Sequence, residues 1–272
     1  MPLRDKTIAV IGAGNMGEAL VRGLLNRGAV AASQLVAADV QAHRLELFAH
    51  QFGISVVTDN TVAVGRADIV LLAVKPQQIS DVLGGLRNHI DRSKLVISIA
   101  AGVPIARIER ELGDSTRVVR VMPNTPAQIG EGAAALCKGR HADDDDLTIA
   151  DAILSAVGTT VRTEESYLDA VTALSGTGPA YLFLIAEAMI EAGVKLGMPA
   201  DMARQLTLQT IVGAAKLMID SGEEPAELRR KVTSPNGTTE AAMRVMADRK
   251  LVEIFVEAVK AAACRSEELS RA

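Results

Sequence analysis

The feature that most constrains this chain is the junction of a short aliphatic run with a glycine loop near its N-terminus. Residues 7–11 read Thr-Ile-Ala-Val-Ile and lead straight into Gly12-Ala13-Gly14-Asn15-Met16-Gly17. A helical pattern follows over residues 16–26, and Asp39 stands at the end of the next apolar run. A glycine loop alone is a weak signal, because glycine is common. Strand, loop, helix and a distant acid in this order form a far stronger one. The first glycine permits a tight turn, the second lets backbone approach a pyrophosphate, and the third lets helix and strand pack together. The first helical turn then offers N–H groups to the anion. The pattern predicts a strand–turn–helix unit that holds a dinucleotide.

Apolar runs recur at residues 34–38, 54–57, 69–74, 95–99 and 118–122. They are rich in Val, Ile and Leu and do not alternate strictly with polar residues, which is how strands buried on both faces read. Helical patterns such as 16–26 and 42–50 separate them. The alternation predicts right-handed βαβ units in a parallel, doubly wound sheet. With no Trp, and with aromatics at 2% of residues, the core must be aliphatic. Asp143–Asp146 reads as the acidic, solvated first turn of a helix running to about Ala156.

After Thr163 the pattern changes. Helical segments dominate, at about 167–174, 179–196, 199–221, 225–231, 238–247 and 251–269. Pro179, Pro199 and Pro225 each stand where a helix should begin. The chain therefore divides into an α/β dinucleotide-binding domain, residues 1–163, and an all-helical domain, residues 164–272. The helix over 179–196 is apolar around much of its circumference, so it is either central to its domain or packed against a partner subunit.

Composition excludes several classes. A formal net charge of −4 without a basic run gives no footprint for nucleic acid. Cys137 and Cys264 are far apart and share no ligand spacing with His43, His50, His89 and His141, so neither a disulfide framework nor a zinc site is supported. No uninterrupted apolar run of about 18 residues suggests a membrane span, and no leader pattern precedes the first strand. The expected compartment is a reducing cytoplasm.

Two further strand ends belong to the dinucleotide crevice, because ligands of doubly wound sheets lie outside the carboxyl ends of the strands. They are Ala73-Val74-Lys75-Pro76 and Ile99-Ala100-Ala101-Gly102. The choice of dinucleotide stays open. Asp39 suits a ribose 2′-hydroxyl, whereas Arg44, in the next turn, suits a 2′-phosphate. In the helical half two hydroxyl-rich turns feed helices: Ser175-Gly176-Thr177-Gly178-Pro179 and Thr233-Ser234-Pro235-Asn236-Gly237-Thr238-Thr239-Glu240. Each reads as a helix cap. The second carries more hydroxyls than a cap needs, which suits a carboxylate ligand. No Ser-His-Asp or Cys-His arrangement can be built there, since every histidine precedes residue 142.

These residues resemble the pyrroline-5-carboxylate reductase family across essentially the whole chain. The likeness is carried by IGAGNMGEAL at 11–20, AVKPQ at 73–77, SIAAGV at 98–103, VMPNTP at 121–126, LSGTGPAYLF at 174–183 and VTSPNGTTEAAM at 232–243. One departure is Asn236, where many members carry Gly. If that position needs positive φ, Asn is the next most tolerant residue. The resemblance implies a Rossmann domain followed by a helical dimerisation domain like the C-terminal domain of 6-phosphogluconate dehydrogenase. It implies homodimers that assemble into larger rings, up to a decamer. It implies NADPH as cofactor, with NADH also used, held by Gly12, Ala13, Gly14, Asn15, Met16, Gly17, Asn60, Ala73 to Pro76 and Ile99 to Ala101. It places 1-pyrroline-5-carboxylate, the precursor of L-proline in the last step of proline biosynthesis, on Ser234, Gly237, Thr238 and Thr239. The expected catalytic contact is the Thr239 hydroxyl on the ring nitrogen. The rivals are a β-hydroxyacid dehydrogenase, which needs a lysine early in the helical domain, and a dinucleotide-sensing protein without catalysis. No lysine follows Ser175 before Lys195, which disfavours the first.

Overall fold

The aliphatic runs pair side by side, most of them with their side chains buried. The computed structural model of the chain describes residues 2–271, and among them eight strands form one sheet. They are β1 (Ile8–Ile11), β2 (Leu35–Ala38), β3 (Ser55–Val57), β4 (Ile69–Leu72), β5 (Leu95–Ser98), β6 (Arg117–Met122), β7 (Gly132–Lys138) and β8 (Gly158–Arg162). Their order is β3-β2-β1-β4-β5-β6-β7-β8. The first six strands run parallel; β7 is antiparallel to β6 and parallel to β8. Strands β1, β2, β4 and β5 are buried at every residue. Helices α1 (Asn15–Asn26), α2 (Ala42–Phe52), α3 (Asn60–Gly65), α4 (Ile79–Leu86), α5 (Ile105–Leu112) and α6 (Asp144–Leu154) connect them.

The sheet divides its core into two aliphatic layers. One contains Leu20, Leu24, Phe48, Leu71, Ile97 and Ile153; the other contains Ile11, Leu72, Ile79, Leu83, Ile108 and Leu112. Each such side chain, fully buried, contributes roughly 1.5–3 kcal/mol. Strand order reverses at β1, with β2 on one side and β4 on the other. This is the switch point where doubly wound sheets open a crevice.

Strands β7 and β8, at one end of the sheet, lie outside the predicted runs. The β7 sequence GAAALCK has little β-preference of its own. Its register against β6, with Val121 opposite Leu136 and Met122 opposite Ala135, supplies the order instead. The acidic cluster does begin a helix, but not a wholly solvated one. Asp143 caps α6 by accepting the Asp146 N–H at 2.9 Å, and Asp146 is buried against Arg117 at 2.7 Å.

Contacts group residues 2–177 and 261–271 in one unit and Gly178–Lys260 in a second. The first unit includes α7 (Leu168–Val171) and the end of α12 (Leu251–Arg271), where Ser266 Oγ donates to Asp169 Oδ1 at 2.6 Å. The second holds α8 (Gly178–Lys195), α9 (Ala200–Ser221), α10 (Pro225–Lys231), α11 (Thr238–Asp248) and the start of α12. Of the three prolines expected to open helices, only Pro225 is a first helical residue; Pro199 is the cap before α9 and Pro179 the second residue of α8. Helix α8 is not the centre of its unit. Leu182, Phe183 and Leu184 are 56%, 63% and 63% exposed. The helical stretch Glu165–Lys195 is also long and apolar enough, by length and composition, to cross a membrane, although charged residues interrupt its sequence.

Candidate active site

The crevice is built by strands that stop together. The ladder runs one residue past each strand: Gly12 N–H donates to Ala38 O at 2.8 Å, Ala73 N–H to Ile11 O at 2.8 Å and Ile99 N–H to Leu72 O at 3.1 Å. Gly12 then turns with φ +105°, and a Cβ there would stand 2.7 Å from Ala73 O. Only glycine satisfies both conditions. At Gly17 a Cβ would collide with the Gly12 carbonyl oxygen, so its absence lets α1 sit directly on the loop.

Gly14 is the N-cap of α1, and no side chain caps it. The space beside its Cα is open. An uncapped helix N-terminus facing open space fits the pyrophosphate of a dinucleotide. Ala13 is buried and held on both sides of its peptide. Its N–H donates to Asp39 Oδ2 at 2.7 Å, and its carbonyl accepts from Arg44 Nε at 2.6 Å. The second βα unit therefore braces the loop of the first. Asp39 Oδ1 also accepts from Gln41 N–H at 2.8 Å, and Arg44 Nη2 donates to Glu18 Oε2 at 2.7 Å.

Two cavities open along this edge. One is lined by Gly12, Gly14, Asp39, Val40, Gln41, Asn60, Ala73, Val74, Lys75 and Gln78, among others. Asn60 reaches it because Asp59 starts α3 there, accepting the Thr61 N–H at 2.8 Å. The other is lined by Gly14, Asn15, Met16, Ala73, Val74, Lys75, Ile99, Ala101, Met122 and Pro123. Gly14 and Ala73 to Lys75 belong to both, so the cavities meet at the glycine loop. Ala13, Gly17, Pro76 and Ala100 line neither: the first two shape the loop, Pro76 begins the turn after Lys75, and Ala100 is buried beneath. Val40, Gln41, Gln78, Met122 and Pro123 were not singled out by the sequence. The rule that ligands lie past the carboxyl ends of strands points to the VMPNTP segment after β6.

The two hydroxyl-rich turns differ. In the first, which includes a wide helical turn over Thr172–Gly176, the hydroxyls are spent on backbone carbonyls. Thr172 donates to Leu168 O at 2.7 Å, Ser175 to Val171 O at 3.1 Å and Thr177 to Thr172 O at 3.0 Å. None caps a helix N–H, contrary to expectation. Asn124 of the VMPNTP segment steadies this turn, donating to Ser175 O at 3.1 Å.

In the second turn, Gly237 is the N-cap of α11 and no side chain caps it. Asn236 has φ 55°, the left-handed conformation that Asn tolerates. Its N–H donates to Glu240 Oε2 at 2.5 Å, and Gly237 N–H donates to Ser234 O at 3.0 Å. Thr233 donates to Arg229 O at 2.7 Å. The Ser234, Thr238 and Thr239 hydroxyls take no hydrogen bond among the described residues, and they surround the uncapped start of α11. An uncapped helix start beside free hydroxyls is a setting that suits an anion.

Burial pushes the Cys137 thiol up to about 12, so it stays protonated. Among the described residues no group of His, Cys, Asp and Glu could hold a metal ion.

Known proteins resemble this chain in sequence and in fold. Residues 165–269 match the family model for pyrroline-5-carboxylate reductase dimerisation, and residues 7–102 match that for NADP oxidoreductase, coenzyme F420-dependent. The chain is 45% identical to the pyrroline-5-carboxylate reductase of Methanosarcina acetivorans, over 99% of this chain and 100% of that protein. It is 46% identical to that of Pseudomonas aeruginosa, over 97% and 96%. Among solved structures, the enzyme of Coxiella burnetii superposes with a TM-score of 0.92 at 39% identity, covering 97% of this chain and 98% of that one. The Plasmodium falciparum enzyme with NADP bound superposes with a TM-score of 0.88 at 29% identity, covering 98% of each. A glycine loop at the switch point, a turn of free hydroxyls and this end-to-end similarity agree, and the chain belongs to the pyrroline-5-carboxylate reductase family.

Proposed function

We propose that the protein reduces the C=N bond of 1-pyrroline-5-carboxylate to give L-proline, using NADPH or NADH. The observation that carries this reading is the turn 233–239, whose free hydroxyls and uncapped helix start suit a small carboxylate and provide no base or nucleophile. Bound at the glycine loop, the reduced nicotinamide supplies the hydride that attacks the imine carbon. A protonated imine accepts hydride readily, so the protein's task is to bind and orient. Ser234 and the amides of Gly237 and Thr238 hold the carboxylate. The Thr239 hydroxyl hydrogen-bonds the ring nitrogen. Gly12 to Gly17, Asn60, Ala73 to Pro76 and Ile99 to Ala101 hold or shape the seat of the dinucleotide, and Asp39 faces its adenosine ribose.

Residues 164–272 serve as the dimerisation and substrate-binding part. The exposed apolar side chains of α8, inside the segment that matches the dimerisation model, are the surface a second copy would cover. A homodimer, its assembly into a decameric ring and a cytoplasmic location belong to this reading. The rival β-hydroxyacid dehydrogenase lacks support in the lysine it would need: Lys195 lies at the far end of α8, exposed and paired with Glu191 at 2.5 Å.

Incubation with 1-pyrroline-5-carboxylate and reduced dinucleotide, followed at the nicotinamide absorbance band, tests the reaction. No oxidation with either cofactor would overturn it. Thr239→Val should lower kcat/KM by up to about 10²-fold, the low end for general acid assistance, and leave dinucleotide affinity intact. Unchanged kinetics would remove Thr239 from the chemistry.

A further inference from the structure

Past β6 the chain reads Pro123-Asn124-Thr125-Pro126, and Asn124 is the N-cap of the short helical turn Thr125–Ile129. An Asn in that place ordinarily caps the turn with its side chain. This one does not. Its half-buried amide reaches away from its own turn in two directions. Oδ1 accepts the Ala133 N–H at 2.9 Å, near the start of β7. Nδ2 donates to the Ser175 carbonyl at 3.1 Å, in the wide turn Thr172–Gly176. Pro179 stands four residues after Ser175 and has no N–H to give that carbonyl, as the next turn of a helix would. The Asn124 amide supplies a donor instead. One side chain thus ties together the end of β6, the start of β7 and the wide turn.

The wide turn also meets the crevice. A Cβ on Gly176 would stand 2.6 Å from Met122 Cε, so the glycine leaves room for the Met122 side chain. Wide turns of this kind are rare and cluster at functional sites. Met122 and Pro123, the two residues before Asn124, line the cavity that contains Gly14, Ile99 and Ala101. Asp39 and Asn60 line only the other cavity. With the ribose of the adenosine at Asp39 and the pyrophosphate at the glycine loop, the nicotinamide falls to the Met122 side. Asn124 itself lines neither cavity.

We propose that Asn124 is a positioning residue for hydride transfer, which holds Met122 and Pro123 as a fixed wall for the nicotinamide ring. The proposal rests on the reductase reading of the crevice and names what sets the ring in place. Hydride passes only across a short, aligned gap, and a displacement of about 1 Å costs about 10²-fold in rate. Affinity draws mainly on the pyrophosphate and adenosine contacts, which this wall does not touch.

Asn124→Asp keeps the acceptor for the Ala133 N–H and puts an oxygen in place of the donor to Ser175. It should lower kcat by about 10–10²-fold while the Kd of reduced dinucleotide, titrated by fluorescence without substrate, stays within about threefold. The emission of the bound dihydronicotinamide should change as well. Gly176→Ala disturbs the same wall from the other side: its methyl displaces the flexible tip of Met122 and leaves both Asn124 bonds in place. The same split is expected. A purely structural role predicts a lower Tm with kcat and emission of the folded protein unchanged. That result in Asn124→Asp, or in Gly176→Ala should Asn124→Asp fail to fold, would overturn the proposal. A loss confined to dinucleotide Kd would overturn it too. No turnover by the unaltered protein would overturn the reductase reading instead, and the emission of bound cofactor would still read the wall without it.

Discussion

Gly14→Ala and Gly17→Ala separate two tasks of the loop, approach of a ligand and packing of a helix. At Gly17 the added methyl would collide with the Gly12 carbonyl oxygen and reach Val10 Cγ1 at 3.4 Å. The obstacle is backbone, so α1 must move off the loop by about 1 Å to restore van der Waals contact. Overpacking of this kind costs about 1–3 kcal/mol, and the better helix propensity of alanine offsets up to about 1 kcal/mol. A net loss of about 1 kcal/mol lowers Tm by roughly 2–4 °C for a unit of this size. The shift also displaces the first-turn N–H donors, so dinucleotide affinity falls too. At Gly14 the space is open and φ is −75°, which alanine adopts freely. Its Tm should hold or rise slightly, by the equivalent of about 0.4–1 kcal/mol. The methyl nevertheless stands where a pyrophosphate must approach. Losing one hydrogen bond to a charged oxygen costs about 1.5–3 kcal/mol, or roughly 10–150-fold in Kd. Thermal melts paired with titration of reduced dinucleotide read both quantities. Unaltered affinity in Gly14→Ala would refute the placement of the pyrophosphate over this residue.

Three further outcomes follow from groups away from the loop. Arg120 is 6% exposed and pairs with Glu165 at 2.9 Å; the same Glu165 oxygen accepts the Ile105 N–H at 2.8 Å. Breaking a buried pair costs about 3–5 kcal/mol, but Glu165 is 36% exposed and water screens the pair, so Glu165→Ala should lose about 1–3 kcal/mol in denaturant unfolding. Cys137, pushed up to about 12 by burial, should resist alkylation at pH 8 in the folded protein and react once it unfolds, as mass spectrometry would show. Because its folded value is raised from 9.0, the unfolded chain loses this proton first, so its contribution to stability is complete below pH 9 and falls as pH rises from 9 toward 12. At Asn236, with φ 55°, substitution by Gly should be neutral or mildly stabilising. Asn236→Val should cost about 1–2 kcal/mol and raise KM for the imine more than for the dinucleotide.

What could be read from the sequence follows from where each element gets its order. β1, β2, β4 and β5 carry their own signal, because burial on both faces demands unbroken Val, Ile and Leu. β7 and β8 do not: the three consecutive alanines of β7 become strand through pairing with Met122 of β6, opposite Ala135, and with Thr159 to Val161 of β8, opposite Ala133 to Ala135, contacts that no local window contains. The same distinction holds at the site. Gly12 and Gly17 are legible because no other residue fits their contacts, and Asn236 because few tolerate positive φ. The competition between Asp39 and Arg44 was not legible, since both residues suit a ribose end. In the structure Glu18, one helix away, engages the Arg44 guanidinium, while Asp39 lines the crevice. The two hydroxyl-rich turns look alike for a similar reason. The wide turn at Thr172–Gly176 points its hydroxyls back at carbonyls, whereas the left-handed Asn236 turns those of Ser234, Thr238 and Thr239 free of such bonds. Function in this chain therefore lies less in which polar residues are present than in which of them the backbone leaves unspent.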